Sequence, residues 1–314
     1  MSRAFVFPGQ GAQTVGMGRD LALAYPSAKA VFEEVDAALG ERLSTLIWEG
    51  DQDTLTLTRN AQPALMATSM AVMAALTSEG MGIGTASWVA GHSLGEYSAL
   101  AAAGALSVTD AARLLRARGE AMQRAVAPGE GAMAAILGLG LEEVRAVAAE
   151  AAGAEVVEAA NDNDPAQVVI SGHATGVARA VEIAKARGAK RAVMLPVSAP
   201  FHCALMAPAA EEMAAALAGV EIRAPSVPVV ANVLAEGVTD PDRIRALLVE
   251  QITRSVRWRE SVDWMAGRGV TEFWEIGAGK ALSGMVRRIV KEAETRAVLS
   301  PEDVAAAAAR GLRA

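Results

Sequence analysis

The chain of 314 residues is long enough for one large domain, or two smaller ones, around a sizeable core. Its 52% hydrophobic and 21% charged residues are typical of a globular protein, and its net charge of −7 argues against nonspecific binding to nucleic acid or anionic membrane. One cysteine excludes a disulfide framework, and no apolar run reaches the roughly 18 residues of a membrane span. We therefore expect a soluble protein of the cytoplasm.

The residues before position 131 alternate between two patterns. Short apolar runs predict buried strands at 4–7 and 86–91. Longer periodic stretches predict helices at 20–39, at 62–79, from about 94 onward, and at 108–118. Pro63 fits the first turn of the second helix. Ser107 and Asp110 are typical of a capping box, which marks the start of the fourth helix.

The segment from about 131 to 197 has its own order of elements. Its patterns predict strand, helix, strand, strand, helix and strand in succession, which is the βαββαβ order of a ferredoxin-like unit. We interpret residues 129–198 as a small subdomain that is inserted into a large domain formed by residues 1–128 and 199–314.

Strands and helices alternate again after this segment. Strands are predicted near 227–232 and 271–277, and helices at 205–217, 241–252, 256–268 and 281–291. This alternation predicts an α/β fold with a mainly parallel sheet in the large domain.

The stretch GHSLG, residues 91–95, fits the pattern G-x-S-x-G with Ser93 at its centre. A predicted strand precedes it and a predicted helix follows it. A tight strand-to-helix turn would present the Ser93 hydroxyl to a cleft, near a helix N-terminus that favours negative charge. We interpret Ser93 as a nucleophile; the alternative is an ordinary serine in a turn.

A serine nucleophile needs a base, and the chain has three histidines. His202 follows the predicted insert directly and is the expected base. His92 is adjacent to Ser93 and is the alternative, whereas His173 is expected in a turn of the insert. No acidic residue is evident as a third member, so a backbone carbonyl is an alternative partner for the histidine. Cys203 is expected to be a small buried residue rather than a thiol nucleophile.

The glycine-rich stretch GQGAQT at residues 9–14 lacks the third glycine of a dinucleotide site, and GAQTVGMG lacks the lysine of a P-loop. The sequence also has no His, Cys or carboxylate cluster with metal spacing. We expect the first stretch to contribute to an oxyanion site instead, in which the backbone N–H groups of Gln10 and Leu94 are the donors.

Five motifs occur in the order found in malonyl-CoA:acyl carrier protein transacylases, and the chain resembles that family over nearly its whole length. The motifs are FPGQGAQ at 7–13, GHSLGEYSAL at 91–100, RGEAMQ at 118–123, FHCALM at 201–206 and VEQI at 249–252. The resemblance implies an α/β-hydrolase-like core with an inserted ferredoxin-like subdomain. It also implies transfer of malonyl from malonyl-CoA to the phosphopantetheine thiol of acyl carrier protein, with no cofactor.

The resemblance assigns roles to residues as well. It implies Ser93 as nucleophile, His202 as base, Gln10 and Leu94 as oxyanion donors, and the carbonyl of Gln251 as the partner of the histidine. It further implies that Arg118 binds the malonyl carboxylate. A guanidinium fits a carboxylate as a two-pronged donor, although without the motif Arg118 would be interpreted as one of several solvated arginines on a helix.

His92 and Phe201 are also expected to line the substrate pocket. Phe201 departs from the family, where serine is common at this position, and is expected to disfavour an α-methyl branch on the acyl group. Ala12 is a second departure from a common serine, and neither departure touches the reacting atoms.

Carrier proteins are acidic, so an acidic enzyme needs a local basic face for docking. Two stretches qualify, and both are alternatively ordinary solvated helix faces. Their basic residues are Lys185, Arg187, Lys190 and Arg191 in the first stretch, and Arg287, Arg288 and Lys291 in the second. The expected oligomeric state is a monomer. A serine thioesterase or hydrolase and a noncatalytic carrier-binding subunit are the alternative functions.

Overall fold

The computed structural model describes residues 2–197 and 199–311 of the chain. Its strands are β1 (Ser2–Phe7), β2 (Trp88–Gly91), β3 (Gly131–Leu137), β4 (Val157–Asp164), β5 (Gln167–His173), β6 (Arg191–Met194), β7 (Val229–Ala231), β8 (Glu236–Val238), β9 (Val270–Ile276) and β10 (Glu294–Val298).

The α-helices of the same residues are α1 (Arg19–Ala24), α2 (Pro26–Leu39), α3 (Leu43–Glu49), α4 (Gln52–Thr56), α5 (Thr58–Ser78), α6 (Gly95–Ala102), α7 (Val108–Arg124), α8 (Leu141–Ala152), α9 (Ala174–Ala186), α10 (Ala207–Ala218), α11 (Pro241–Thr253), α12 (Trp258–Ala266), α13 (Ala281–Ile289) and α14 (Pro301–Gly311). Short 3-10 turns lie at Ile83–Thr85 and Ala204–Met206. None of the helices in the described ranges has both the length and the apolar content needed to cross a membrane.

The larger of two sheets has six strands in the order β10-β9-β1-β2-β7-β8. The neighbours from β10 to β7 pair in parallel, and β8 pairs with β7 in antiparallel. Strand β1 is central and buried from Arg3 to Phe7, as expected for a parallel strand covered on both faces. Because β1, β2 and β7 are neighbours, the loops that follow them meet at one edge of the sheet.

The smaller sheet has four antiparallel strands in the order β4-β5-β3-β6. Helices α8 and α9 cover one face with a core of its own, which includes Val144, Val147 and Val177. Met133 and Val169, also in this sheet, belong to the main core instead. The four-stranded sheet therefore packs between α8 and α9 on one face and the main core, which lies against the six-stranded sheet, on the other.

The predicted fold class is confirmed: the protein is α/β, with a mainly parallel sheet and a separate antiparallel βαββαβ sheet. The second sheet begins at Gly131 and its last strand ends at Met194. Ser198, the last residue of the predicted subdomain, lies outside the described residues.

Two helix predictions were wrong, and both errors involve proline. The helix predicted at 20–39 is two helices, because Pro26 starts α2 and the preceding Tyr25 is extended, with a φ of −122° and a ψ of 112°. Pro63 lies inside α5 rather than in its first turn, since that helix begins at Thr58. A proline there removes one helical hydrogen bond, and the otherwise buried helix tolerates this loss.

Candidate active site

Ser93 lies in the sharp turn between β2 and α6, at the carboxyl edge of the larger sheet. Its φ is 54°, in the left-handed region that residues other than glycine rarely adopt. A Cβ at Gly91 would lie 1.8 Å from the carbonyl oxygen of Gly95, and a Cβ at Gly95 would lie 2.3 Å from that of Phe7. Only glycine therefore fits at either position, which is the physical content of the G-x-S-x-G spacing.

His202 contacts the Ser93 hydroxyl. Its Nε2 lies 2.7 Å from Ser93 Oγ, although 109 residues separate the two along the chain. His202 is 4% exposed. Burial, with a smaller contribution from the positive charge of Arg118, lowers the pKa of His202 to about 3. The imidazole is therefore neutral near pH 7 and able to accept a proton.

The other ring nitrogen of His202 contacts the backbone carbonyl of Gln251, with Nδ1 2.8 Å from the oxygen. This carbonyl is available because α11 ends two residues later, at Thr253, and the last carbonyls of a helix have no partner within it. A carbonyl only accepts, so Nδ1 carries the hydrogen and Nε2 presents its lone pair to Ser93. Of the two partners that the sequence left open for the histidine, the structure has the carbonyl.

Arg118 projects from α7 and is 1% exposed. Its Nη2 donates to Ser93 Oγ at 3.1 Å and to Oε1 of Gln251 at 2.9 Å, and its Nη1 donates to Oε1 of Gln62 at 2.8 Å. Burial lowers the pKa of Arg118, but an arginine remains charged. These partners are neutral side chains, so the buried cation is suited to the carboxylate of a ligand.

These groups open into a cavity of about 430 Å³. One side of the cavity is lined by the loop at Gln10, which follows β1, and by residues that include Gln62 on α5 and Met122 on α7. The four-stranded sheet contributes Met133 and Asn161. The cavity thus lies between the two sheets, and Phe201 and His92 both line it.

Gln10 and Leu94, the predicted oxyanion donors, line the same cavity as Ser93. Leu94 immediately precedes the first residue of α6. Within the part of the chain that the structure describes, neither backbone N–H donates to another protein group.

His92 has a different partner from His202. Its Nε2 lies 2.8 Å from Oδ1 of Asn163, and its ring lies 5.7 Å from that of Trp258. Burial lowers the pKa of His92. The geometry thus brings His202, rather than His92, into contact with the Ser93 hydroxyl.

The remaining two candidates lie outside this arrangement. His173 stands at the end of β5, where its Nδ1 accepts from the N–H of Val156 at 2.9 Å. Cys203 is fully buried, and its thiol donates to the carbonyl of Pro200 at 3.1 Å. Burial raises the pKa of that thiol to about 11, which makes it a poor nucleophile near neutral pH.

Sequence reasoning missed several buried polar residues around Ser93. Asn232, just after β7, accepts from the Ser93 N–H at 2.8 Å and donates to the carbonyl of Gly91 at 2.7 Å, which fixes both sides of the turn. Glu96 is 3% exposed, and burial raises the pKa of its carboxyl to about 7. A carboxylate within the apolar helix GEYSALAA was a signal for Glu96, whereas no local pattern marks Asn232 or Gln62.

All seven basic residues of the two predicted docking stretches are exposed. Three are paired with nearby carboxylates: Lys185 with Glu182, Arg187 with Glu150, and Arg288 with Asp164. Arg287 donates to Thr295. Among the described residues, Lys190, Arg191 and Lys291 form no ion pair. In the described part of the chain, no three or more His, Cys, Asp or Glu side chains are grouped so that they could hold a metal ion.

Residues 4–310 match the acyl transferase domain family, and the chain belongs to this family. The protein is thus an acyltransferase. It is 49% identical over 302 residues to the malonyl CoA-acyl carrier protein transacylase of Bacillus subtilis, an alignment that covers 96% of this chain and 94% of that one.

Solved structures of similar proteins agree with this family membership. An acyl-carrier-protein-S-malonyltransferase from Bartonella henselae superposes with a TM-score of 0.97 at 53% identity, covering 99% of both chains. A malonyl-transacylase solved in complex with its type II polyketide acyl-carrier protein superposes with a TM-score of 0.96 at 42% identity, covering 99% of this chain and 100% of the other.

Proposed function

We propose that the protein transfers the malonyl group of malonyl-CoA to the phosphopantetheine thiol of acyl carrier protein, through a malonyl ester on Ser93. The observation that carries this proposal is that an imidazole and a guanidinium meet at one hydroxyl oxygen. Ser93 Oγ lies 2.7 Å from the neutral ring nitrogen of His202 and 3.1 Å from the buried guanidinium of Arg118. The names of the similar proteins agree with this activity.

In the first half-reaction, Ser93 Oγ attacks the thioester carbonyl carbon while His202 Nε2 takes the hydroxyl proton. The N–H groups of Gln10 and Leu94 stabilise the negative charge that develops on the carbonyl oxygen. The carbon–sulfur bond then breaks, His202 returns the proton to the sulfur, and CoA leaves as a thiol. The product is malonyl-Ser93, with the carbonyl of Gln251 holding the histidine in position throughout.

The second half-reaction reverses these roles. The phosphopantetheine thiol gives its proton to His202 and attacks the malonyl ester. The carbon–oxygen bond breaks and Ser93 recovers the proton, so the enzyme ends unchanged in a ping-pong cycle. Every proton and acyl transfer is accounted for by the protein and its two substrates, and we propose that no cofactor takes part.

Arg118 supplies the preference for malonyl. A hydrogen bond to a charged group contributes about 1.5–3 kcal/mol. Loss of this contribution corresponds to a roughly ten- to hundredfold discrimination against acetyl, which has no carboxylate to pair with the guanidinium. Phe201 and His92 shape the rest of the acyl pocket.

The proposal also includes the carrier's docking face and the setting of the enzyme. The exposed basic residues at 185–191 or 287–291 attract the acidic carrier. Those without an ion pair among the described residues, Lys190, Arg191, Arg287 and Lys291, are the most available. We further propose that the enzyme is a cytoplasmic monomer, and that residues 129–198 form a subdomain distinct from 1–128 and 199–314.

The test is transfer of labelled malonyl from malonyl-CoA to carrier protein by the wild type, Ser93→Ala and Arg118→Ala. We expect Ser93→Ala to form no malonyl adduct by mass spectrometry, and Arg118→Ala to lose its preference for malonyl over acetyl. Arg124→Ala, an exposed arginine on the same helix, is the matched control. Rapid release of malonate without carrier protein would indicate a hydrolase, and absence of any adduct on wild-type Ser93 would indicate a noncatalytic subunit.

A further inference from the structure

A cluster of buried polar side chains adjoins the Ser93 turn and has no part in the chemistry above. Glu96, Asn232 and Gln251 are 3%, 1% and 0% exposed. One carboxylate oxygen of Glu96, Oε2, accepts from the N–H of Asn232 at 3.0 Å and from Nε2 of Gln251 at 2.8 Å. Burial of a charge costs free energy. A buried carboxyl that accepts two hydrogen bonds beside the Ser93 turn is therefore expected to have a role there.

The side chain of Gln251 connects this carboxyl to Arg118. Its Nε2 donates to Glu96 and to the backbone carbonyl of Ser93, and its Oε1 accepts from Arg118 Nη2 at 2.9 Å. An amide has a donor end and an acceptor end, whereas an ionised carboxylate only accepts. Glu96 and the Ser93 carbonyl therefore both select the Nε2 end, which leaves the oxygen end to face the guanidinium.

We propose that Glu96 is a positioning residue, which acts through the Gln251 amide to hold the Arg118 guanidinium at Ser93 and so sets the preference for an acyl group with a carboxylate. This inference rests on the proposed role of Arg118. His202 is positioned independently, because it contacts the backbone carbonyl of Gln251 and not its side chain. A change at Glu96 should therefore affect malonyl selection more than the reactivity of Ser93.

Protonation of Glu96 would remove its acceptor-only character. The titratable or charged groups joined to this cluster are Arg118 from α7, His202 from the segment after β6, and Tyr97 from α6 itself. Because burial brings the pKa of His202 to about 3 and that of Tyr97 to about 12, both stay neutral near pH 7. Burial raises the pKa of Glu96 to about 7, so its carboxylate is present above that pH and is lost below it.

The test compares Glu96→Gln with the wild type in two reactions of the same serine. The first is malonyl transfer to carrier protein, and the second is inactivation by phenylmethylsulfonyl fluoride, a neutral reagent that needs no guanidinium. We expect kcat/KM for malonyl-CoA to fall roughly ten- to hundredfold, as for loss of one charged contact, while the inactivation rate is retained. Glu142→Gln, at an exposed position on α8, is the matched control.

A pH series on the wild type provides a second readout that does not depend on the folding of a variant. The ratio of malonyl kcat/KM to the inactivation rate should rise as the pH increases through about 7. A flat ratio overturns the inference, as does a Glu96→Gln enzyme that keeps its malonyl kcat/KM or loses both reactions equally. A wild type that reacts with the sulfonyl fluoride but transfers no malonyl would overturn the proposed function instead.

Discussion

Two residues of the candidate site, Ser93 and His202, have left-handed backbone conformations with φ of 54° and 59°. Such conformations cost on the order of 1–3 kcal/mol each and persist only where the surrounding structure imposes them. At Ser93 the surroundings are the close backbone approaches at Gly91 and Gly95 together with the two hydrogen bonds to Asn232. The strain is stored where the hydroxyl must be held apart from the sheet and presented to the cavity.

Gly91→Ala should therefore damage the turn itself. Its Cβ would lie 1.8 Å from the carbonyl oxygen of Gly95, which is backbone and cannot move aside independently. We expect a loss of more than about 3 kcal/mol in the free energy of unfolding, measured by urea denaturation, and loss of acylation. Gly84→Ala, where an added Cβ meets no atom within 4 Å, is the control and should leave both unchanged. A stable Gly91→Ala protein would contradict this account of the turn.

Phe201 is the residue for which the sequence predicts an effect on acyl choice. It is 8% exposed and lines the cavity beside His202. Phe201→Ser frees volume in the pocket, so the ratio of kcat/KM for methylmalonyl-CoA to that for malonyl-CoA should rise by roughly tenfold, the effect of about one buried methyl group. Competition assays with both thioesters measure the ratio, and similar values in wild type and variant would remove the proposed steric role.

At the scale of elements, β4 connects the two sheets. Its backbone pairs with the larger unit, since the N–H of Asp162 donates to the carbonyl of Val256 at 3.0 Å. Asp162 forms an ion pair with Arg259 on α12, and Asp164 forms one with Arg288 on α13. Asn161 on the same strand lines the cavity. The strand that closes the site is thus also the strand that anchors the small sheet.

Removal of one partner from this anchor should loosen the cavity. Asp162 is 1% exposed, so Arg259→Met leaves a buried carboxylate without its cation. We expect a loss of about 1–3 kcal/mol in the free energy of unfolding together with a higher KM for malonyl-CoA. The double variant Arg259→Met with Asp162→Asn should recover part of the stability. Arg268→Met, at an arginine stacked on Trp264, is the control, and equal losses in both single variants would argue against an anchor.

At the scale of the whole molecule, a net charge of −7 must be reconciled with an acidic carrier. Long-range repulsion is screened by salt over about 8 Å at physiological ionic strength, so a local basic face is sufficient for docking. Lys190 and Arg191 lie at the start of β6, whose other end leads into Leu195, a residue of the cavity wall. The first basic stretch is thus connected to the cavity wall through one short strand.

Charge reversal at that stretch should separate the two half-reactions. We expect Lys190→Glu with Arg191→Glu to raise the KM for carrier protein roughly tenfold at low salt, with a smaller effect at high salt, while the KM for malonyl-CoA changes less. Steady-state kinetics with each substrate varied measure both constants. Lys29→Glu, an exposed lysine on α2, is the control. An unchanged KM for the carrier would indicate that the carrier docks instead at the second basic stretch, which includes Arg287 and Lys291.

The local hydrophobic pattern of the sequence was sufficient to predict much of the architecture. The apolar run of β1 and the βαββαβ order of residues 131–194 were legible in the sequence because their signals lie within each element. The errors arose where that signal was weak or misleading. Proline suggested a helix start at Pro63 when burial on all sides stabilised a longer helix, and the edge strand β10 and the final helix α14 were missed.

The sequence by itself determined the α/β class, the βαββαβ order of residues 131–194, the glycine-flanked Ser93 and, through motifs in order, the family to which the chain belongs. Only the tertiary structure decided which groups meet: Nε2 of His202 with Ser93, the carbonyl of Gln251 with that histidine, and Glu96 with the amide that faces Arg118. The reason is physical. Composition and periodicity act between residues that are near in the chain, whereas these contacts join residues on different elements, and packing of the two sheets brings them within hydrogen-bond distance.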